Sequence, residues 1–238
     1  MSESEVSKHI KRTYKIWKKP GINWKEKLTE TIVEILIIVF AVSLSLYLER
    51  WREKQHDRQI EKDFLTGLRY DLKSDIGEMS SDANFYITEA KAFRYFYTAK
   101  NYLPDSVHVY KGTLSDFTQL TPNTNRYEAL KSSGKLDVIE NTQLLDSIGN
   151  LYQDEIPGLI EVFIKPFNEF KSHELMPFLD NHLVIDSNGN QNLEQVLKMP
   201  IARNYLSRWD YPERIAGKYN KVISTSKNII TLIDEELK

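Results

Sequence analysis

One apolar run constrains this chain more than any other feature of its sequence. The run covers residues 31–48 (TIVEILIIVFAVSLSLYL), and Glu34 is the only charged residue in it. A helix of this length spans about 27 Å, close to the roughly 30 Å hydrocarbon core of a bilayer. The run has no polar stripe at helical spacing, so a helix there is apolar on every side. We therefore expect a transmembrane helix over residues 29–48; a helix buried in a soluble core is the alternative.

The two flanks of this run carry different charges. Residues 1–28 hold eight basic and three acidic side chains, whereas residues 49–238 hold 24 basic and 29 acidic ones. Because basic flanks stay in the cytoplasm, the N-terminus is expected there, with the larger part outside. The predicted domains are a basic cytoplasmic arm (1–28), a transmembrane helix (29–48) and an extracytoplasmic α-helical domain (49–238). We expect the arm to contact anionic lipid headgroups; a cytoplasmic protein partner is the alternative, and nucleic acid is not expected.

Several residues are assigned to the membrane by their positions. Four of them are predicted to lie at the two membrane interfaces: Trp24, Glu34, Tyr47 and Trp51. Glu34 lies one turn inside the run, where its carboxylate can reach the headgroups. Ala41 and Ser45 share a helical face in the middle of the run, and small side chains let two helices approach closely. They are the predicted packing site of the transmembrane helix.

The rest of the sequence predicts a mainly α fold. Apolar residues recur at three- and four-residue steps from Ile60 to Tyr97, which predicts a long amphipathic stalk helix over about 52–100. This helix should continue the membrane helix and pack in an extracytoplasmic helical bundle. Its continuity through Gly77–Ser81 stays open. So does the source of its partner helices, which either the same chain or a second copy supplies. Pro104 is predicted to end it, with a loop over 101–124.

Local signals divide the second half into shorter helices. Asn125 with Glu128 fits a capping box, and Gly134 fits a left-handed C-cap. Asn141 is expected to cap the next helix.

Three prolines follow in that next helix. Pro157 and Pro166 are predicted to kink or split it, and Pro177 to end it. Asp210 with Glu213 fits a second capping box, which is expected to begin a last helix that runs to the C-terminus.

Motifs that carry chemistry are scarce. The chain has no cysteine, which excludes disulfides and thiolate metal sites. It also contains no glycine-rich phosphate loop and no nucleophile elbow. The carboxylate pair Asp71 and Asp75 is expected on a solvated helix face. We therefore predict no catalytic residue, no metal site and no cofactor, and a protein that is not an enzyme.

Two segments resemble a bacterial family. Residues 34–53 (EILIIVFAVSLSLYLERWRE) and Tyr127–Leu136 (YEALKSSGKL) resemble, in order and spacing, the two signatures of domain-of-unknown-function family 6090. The resemblance covers residues 25–155. It implies a small, single-pass membrane-anchored protein of Bacteroidetes-type Gram-negative bacteria, with no established activity. With the orientation expected from the charges, the helix would lie in the inner membrane and residues 49–238 in the periplasm. The glycine usual in the family's membrane helix is Ala41 here.

The resulting hypothesis is a structural or interaction protein of the cell envelope. Its helical periplasmic domain would act as a scaffold or accessory subunit that binds another envelope protein or a second copy. The alternative is a ligand-sensing helical bundle that signals through a partner membrane protein. The predicted partner surface is Tyr127, Lys131, Ser132 and Lys135; a purely structural capped helix is the other interpretation of that segment.

Overall fold

The structure is a computed structural model that describes residues 24–187 and 191–238. It is mainly helical and has no strand in these ranges, where an isolated bridge joins Ile185 and Gln191. The chain divides into two compact units, Met1–Glu61 and Lys62–Lys238. The predicted basic arm lies almost wholly outside the described residues.

The helices follow one another with short connections. The α-helices of the described residues are α1 (Trp24–Thr98), α2 (Pro104–Tyr110), α3 (Asn125–Ser132), α4 (Thr142–Asn150), α5 (Ile156–Gly158), α6 (Lys165–Phe170), α7 (Met176–His182), α8 (Leu193–Leu197), α9 (Pro200–Leu206) and α10 (Asp210–Glu236). Three π-helical segments, Leu151–Glu155, Leu159–Ile164 and Lys171–Leu175, separate α4, α5, α6 and α7. Gly112–Leu114 and Leu136–Val138 form 3-10 turns.

In the first unit, α1 presents its apolar run to the outside. Only 6% of the apolar window is buried, and the window is long enough to cross a membrane. A helix in the core of a soluble protein would bury most of such a window, because exposed apolar surface is unfavourable in water. The apolar N-terminal part of α1 could therefore span a membrane.

In the second unit, α1 buries the face that its amphipathic spacing predicts. Leu68, Leu72, Met79, Tyr86 and Phe93 are almost fully buried and recur at steps of four or seven residues. The helix is unbroken through residues 77–81 and ends at Thr98. The predicted role of Pro104 is wrong, and so is the first half of the loop predicted over 101–124, which holds α2 and the 3-10 turn at 112–114. That proline begins α2, where its missing N–H leaves no hydrogen bond unmade.

The predicted effect of the three later prolines is also wrong in part. The backbone stays in the right-handed helical region from α4 to α7, so one long helix, the proline helix (142–182), runs on to His182. A π-helical segment ends two residues before each of Pro157, Pro166 and Pro177. Proline clashes with the carbonyl four residues back in an α-helix, and a wider π turn relieves that clash. Pro177 therefore does not end the helix.

The C-terminal helix α10 runs antiparallel to α1. Arg69 of α1 pairs with Asp234 at 2.8 Å, whereas Asp82, farther along α1, bonds to Tyr219 at 3.1 Å. The proline helix meets both. The ring centroid of its Phe167 lies 6.3 Å from that of Tyr86 on α1 and 5.4 Å from that of Tyr211 on α10. The same chain thus supplies the helices that cover this stretch of α1.

Two of the four predicted caps are confirmed, and the capping box at Asp210 is wrong because Asp210 is itself helical and Trp209 occupies the N-cap without a side-chain hydrogen bond. Asn141 accepts a hydrogen bond from the N–H of Leu144 at 3.1 Å, and Gly134 has a φ of 70° just after α3. The capping box at Asn125 is wrong. The helix begins one residue earlier than the box requires, because Asn125 itself is helical and Thr124 occupies the N-cap without a side-chain hydrogen bond.

Candidate functional site

The structure divides the predicted partner surface. Lys131, Ser132 and Lys135 are exposed, whereas Tyr127 is 1% exposed and belongs to the core. Its ring stacks on that of Tyr152 at 4.8 Å. Placing Tyr127 on a partner surface is therefore wrong, because a partner cannot reach a ring that the proline helix already covers.

Helix α3, which carries these residues, is fastened to α1. Arg126 donates to Asp71 at 2.8 Å, and its guanidinium lies across Gly67. A Cβ atom at residue 67 would come within 2.1 Å of the Arg126 side chain, so the missing side chain lets α3 approach. Asp71 thus has an ion-pair partner. This ion pair and the close approach at Gly67 together position α3 against α1.

A row of carboxylates on α1 holds the irregular segment 116–124. Three carboxylates accept hydrogen bonds from this segment. Asp75 accepts from the backbone N–H and the side-chain amide of Asn123. Glu78 accepts from the backbone N–H of Thr121, and Asp82 accepts from the hydroxyl of Thr118. Because these acids recur at helical spacing, they face the same side of α1. The expectation of a solvated Asp75 is wrong. It is 1% exposed, and burial raises its pKa, although its bonds to Asn123 act in the opposite direction.

The most deeply buried charges form an ion pair between α1 and the proline helix. Lys171 donates to Oε1 of Glu89, to the carbonyl of Thr113 at 2.9 Å and to the carbonyl of Asp116. The side chains of the pair are 1% and 0% exposed. The Lys171 ammonium also lies 5.0 Å from the ring centroid of Phe117, within the range of a cation–π contact.

Burial changes the protonation equilibria of this pair. Loss of water raises the pKa of Glu89 to about 7, against the attraction of Lys171, which lowers it. The same desolvation lowers the pKa of Lys171. The ammonium has three oxygen partners and is enclosed, so the pair acts as a fixed cross-link between α1, the 3-10 turn at 112–114 and the proline helix. Sequence reasoning missed it, because a lysine is ordinarily solvent-exposed and the sequence does not show that Glu89 lies beside it.

Four of the tyrosines pair with one another in the core. Tyr86, Tyr127, Tyr152 and Tyr219 are buried, and each stacks on another tyrosine of the set. They fill the interior between helices, so these four do not line an open ligand site.

The residues assigned to the membrane all lie on α1. Trp24, Tyr47 and Trp51 are exposed, whereas Glu34 is 7% exposed. Ala41 is half-buried and Ser45 is exposed, one turn apart on the same face. Both are in the apolar run that could span a membrane.

No group of three side chains suited to a metal ion occurs in the described ranges. No protein-family model matches the chain, and neither a curated protein nor a solved structure matches it. The resemblance to family 6090 therefore stays a prediction.

Proposed function

We propose that this chain is a single-pass membrane-anchored interaction protein of the bacterial cell envelope. The observation that carries the proposal is the apolar window of α1, of which only 6% is buried. The helical unit Lys62–Lys238 would be the part that meets other proteins. This unit and the basic arm (1–28) would lie on opposite sides of the inner membrane.

The charge asymmetry supports the orientation. Eight basic side chains precede the apolar run, whereas the flank over residues 49–63 has five basic and five acidic ones. The N-terminus would therefore be cytoplasmic and the C-terminal unit periplasmic. Membership of family 6090, proposed from the two motifs, agrees with this placement.

A non-catalytic role is supported by how the buried ionisable groups are used. Glu89, Asp75 and Asp82 each bind another part of the chain, and Lys171 has three oxygen partners. These groups hold helices and the irregular segment 116–124 together. The structure thus favours a rigid domain with an accessible surface, which suits a scaffold or an accessory subunit.

A pair of reporter fusions tests the proposal in cells. A periplasm-active phosphatase fused after Lys238 should be active, and a reporter that works only in the cytoplasm should be silent in the same place. Membrane extraction at alkaline pH should leave the chain in the membrane fraction. The variant Ile37→Arg/Phe40→Arg should release it, since two arginines in the middle of the span oppose insertion.

Val109→Arg is the matched control, because Val109 is an exposed apolar residue outside the run. It should leave extraction and topology unchanged. A cytoplasmic C-terminus would contradict the orientation. Release of the unmodified chain by alkaline extraction would contradict the membrane anchor itself.

A further inference from the structure

Four cationic side chains lie over aromatic rings where α1 ends and α10 begins. The pairs are Arg94 over Trp209, Arg203 over Tyr97, Arg208 over Phe170 and Lys198 over Tyr102. Such contacts hold a cation in one orientation without neutralising it. This end of the second unit therefore carries several fixed positive charges.

Two of the four cations already have a carboxylate. Lys198 pairs with Glu194 at 2.6 Å, and Arg208 lies 3.9 Å from Glu174. Arg94 and Arg203 are both exposed, and neither forms an ion pair with any described residue of the chain. Their charges are the ones available to a partner.

Arg94 and Arg203 are brought together by a reciprocal arrangement. Arg94 and Tyr97 are three residues apart on the last turns of α1, so they are neighbours on its surface. The segment 203–209 supplies Arg203 and Trp209. The guanidinium carbon of Arg94 lies 3.9 Å from the ring centroid of Trp209, and that of Arg203 lies 4.9 Å from the ring centroid of Tyr97. We call these four residues the arginine–aromatic cluster.

A groove of about 380 Å³ between α1 and α10 adjoins the cluster. Arg94 and Trp209 line one part of it, and the buried alanines Ala90 and Ala216 lie in its lining. Lys91 adds an exposed cation without an ion pair in the described ranges. The groove therefore combines apolar surface with exposed positive charge.

We propose that the arginine–aromatic cluster and this groove form a docking site for an acidic peptide segment of a partner protein. A guanidinium held over a ring still has N–H groups that can bind a carboxylate through two parallel hydrogen bonds. Less rotamer freedom is lost on binding, because the rings already orient both arginines. The alanines accept the apolar parts of such a segment.

The charge of the rest of the unit argues for a short acidic segment and against a long polyanion. Residues 62–238 hold 20 basic and 25 acidic side chains, so the unit repels an extended negative surface. Glu213, which also lines the groove, restricts the attractive region to the cluster and Lys91. A membrane surface or a nucleic acid would meet this repulsion beyond the cluster.

The docking site rests on the proposed interaction function, and binding by the purified full-length chain tests it. The probe is fluorescein-labelled hexaglutamate, followed by fluorescence anisotropy with the chain in neutral detergent micelles. Arg94→Gln/Arg203→Gln should weaken binding by about tenfold or more, as expected for charge-assisted hydrogen bonds. Arg94→Lys/Arg203→Lys keeps the charge and loses the planar fork, so it should give an intermediate affinity.

Lys198→Gln/Arg208→Gln is the matched control. It removes two cations that also lie on rings, but both already have carboxylate partners, so binding should change by less than about twofold. Circular dichroism checks that each variant is folded, and the lysine variant provides the test if the glutamine variant is not.

Three results would overturn the docking site. They are the absence of saturable hexaglutamate binding, an equal loss in the control variant, and tighter cluster-dependent binding of hexathymidylate or of phosphatidylglycerol nanodiscs. If hexaglutamate fails to bind while the C-terminal phosphatase is active in the periplasm, the docking site is wrong and the membrane anchor stands. If binding depends on the cluster but that phosphatase is inactive, the proposed orientation is wrong and the docking site stands.

Discussion

Lys171 of the proline helix and Glu89 of α1 form an ion pair that is almost completely removed from solvent. The two residues are 82 positions apart in the chain, so the pair exists only in the folded protein. The two backbone carbonyls that also accept from Lys171 belong to Thr113 in the 3-10 turn and to Asp116, the first residue of the irregular segment 116–124. One ammonium thus joins three parts of the second unit.

Breaking this pair should strongly destabilise the fold. Lys171→Met leaves a buried carboxylate and Glu89→Gln leaves a buried ammonium without its counter-ion, and each should cost about 3–5 kcal/mol. The double variant removes both charges and should be more stable than the Lys171→Met single variant. Thermal unfolding of the full chain in detergent, followed by near-ultraviolet circular dichroism, measures the cycle. Additive losses in the double variant would contradict the coupling.

The buried tyrosines should ionise only when the protein unfolds. Burial raises the pKa of Tyr86, Tyr152 and Tyr219 above the ordinary value of 10.0. Their contribution to stability is therefore complete below pH 10.0 and is lost as the pH rises towards the raised values. Absorbance at the phenolate band should rise in two phases, the second of which coincides with the loss of near-ultraviolet circular dichroism. Full ionisation before unfolding would contradict their burial.

The two asparagines that the sequence assigns to helix N-termini should differ in importance. Asn141→Ala removes an N-cap hydrogen bond and should lower the free energy of unfolding by about 1 kcal/mol. Asn141→Ser keeps a capping oxygen and should restore most of it. Asn125→Ala is the control, since Asn125 is already inside α3 and should tolerate alanine. Chemical denaturation measures the free energy of unfolding of the three variants. Equal losses for Asn141→Ala and Asn125→Ala would contradict the N-cap role of Asn141.

Two glycines should respond to alanine in opposite directions. Gly134 has a positive φ, so Gly134→Ala should destabilise the protein by about 1–2 kcal/mol, although no atom crowds the new Cβ. Gly77 is inside α1 and also has open space, so Gly77→Ala should stabilise it by about 0.5–1 kcal/mol. Thermal unfolding of both variants measures the signs. A stabilised Gly134→Ala would contradict the left-handed C-cap.

Self-association through the apolar run can be tested with single cysteines, because the chain has none. Ser45 shares a face with Ala41, so Ser45→Cys should form a disulfide-linked dimer under oxidation in intact membranes. Ser43 lies on the other side of the helix, and Ser43→Cys should cross-link much less. Non-reducing electrophoresis compares the two. Equal cross-linking of both, or none at Ser45, would contradict packing through this face.

Local features were predicted best where they depend on neighbours in the sequence. The apolar spacing identified Leu68, Leu72 and Phe93 as inward residues, and Asn141 acts through the N–H three residues on. The prolines were misjudged because spacing in the sequence does not show that a π turn precedes each one. Tyr127 was placed outside because its cover, Tyr152, belongs to a distant helix.

The sequence by itself determined the apolar run, the asymmetry of charge around it and the helical periodicity, because all three follow from residues close together in the chain. The tertiary structure alone decided which helices cover the second half of α1, and it paired Glu89 with Lys171. It also left Arg94 and Arg203 exposed and without an ion pair to any residue that the structure describes. Burial and pairing depend on groups brought together across the whole domain, so a lysine that looks solvated becomes a core residue and an ordinary arginine becomes a candidate for binding.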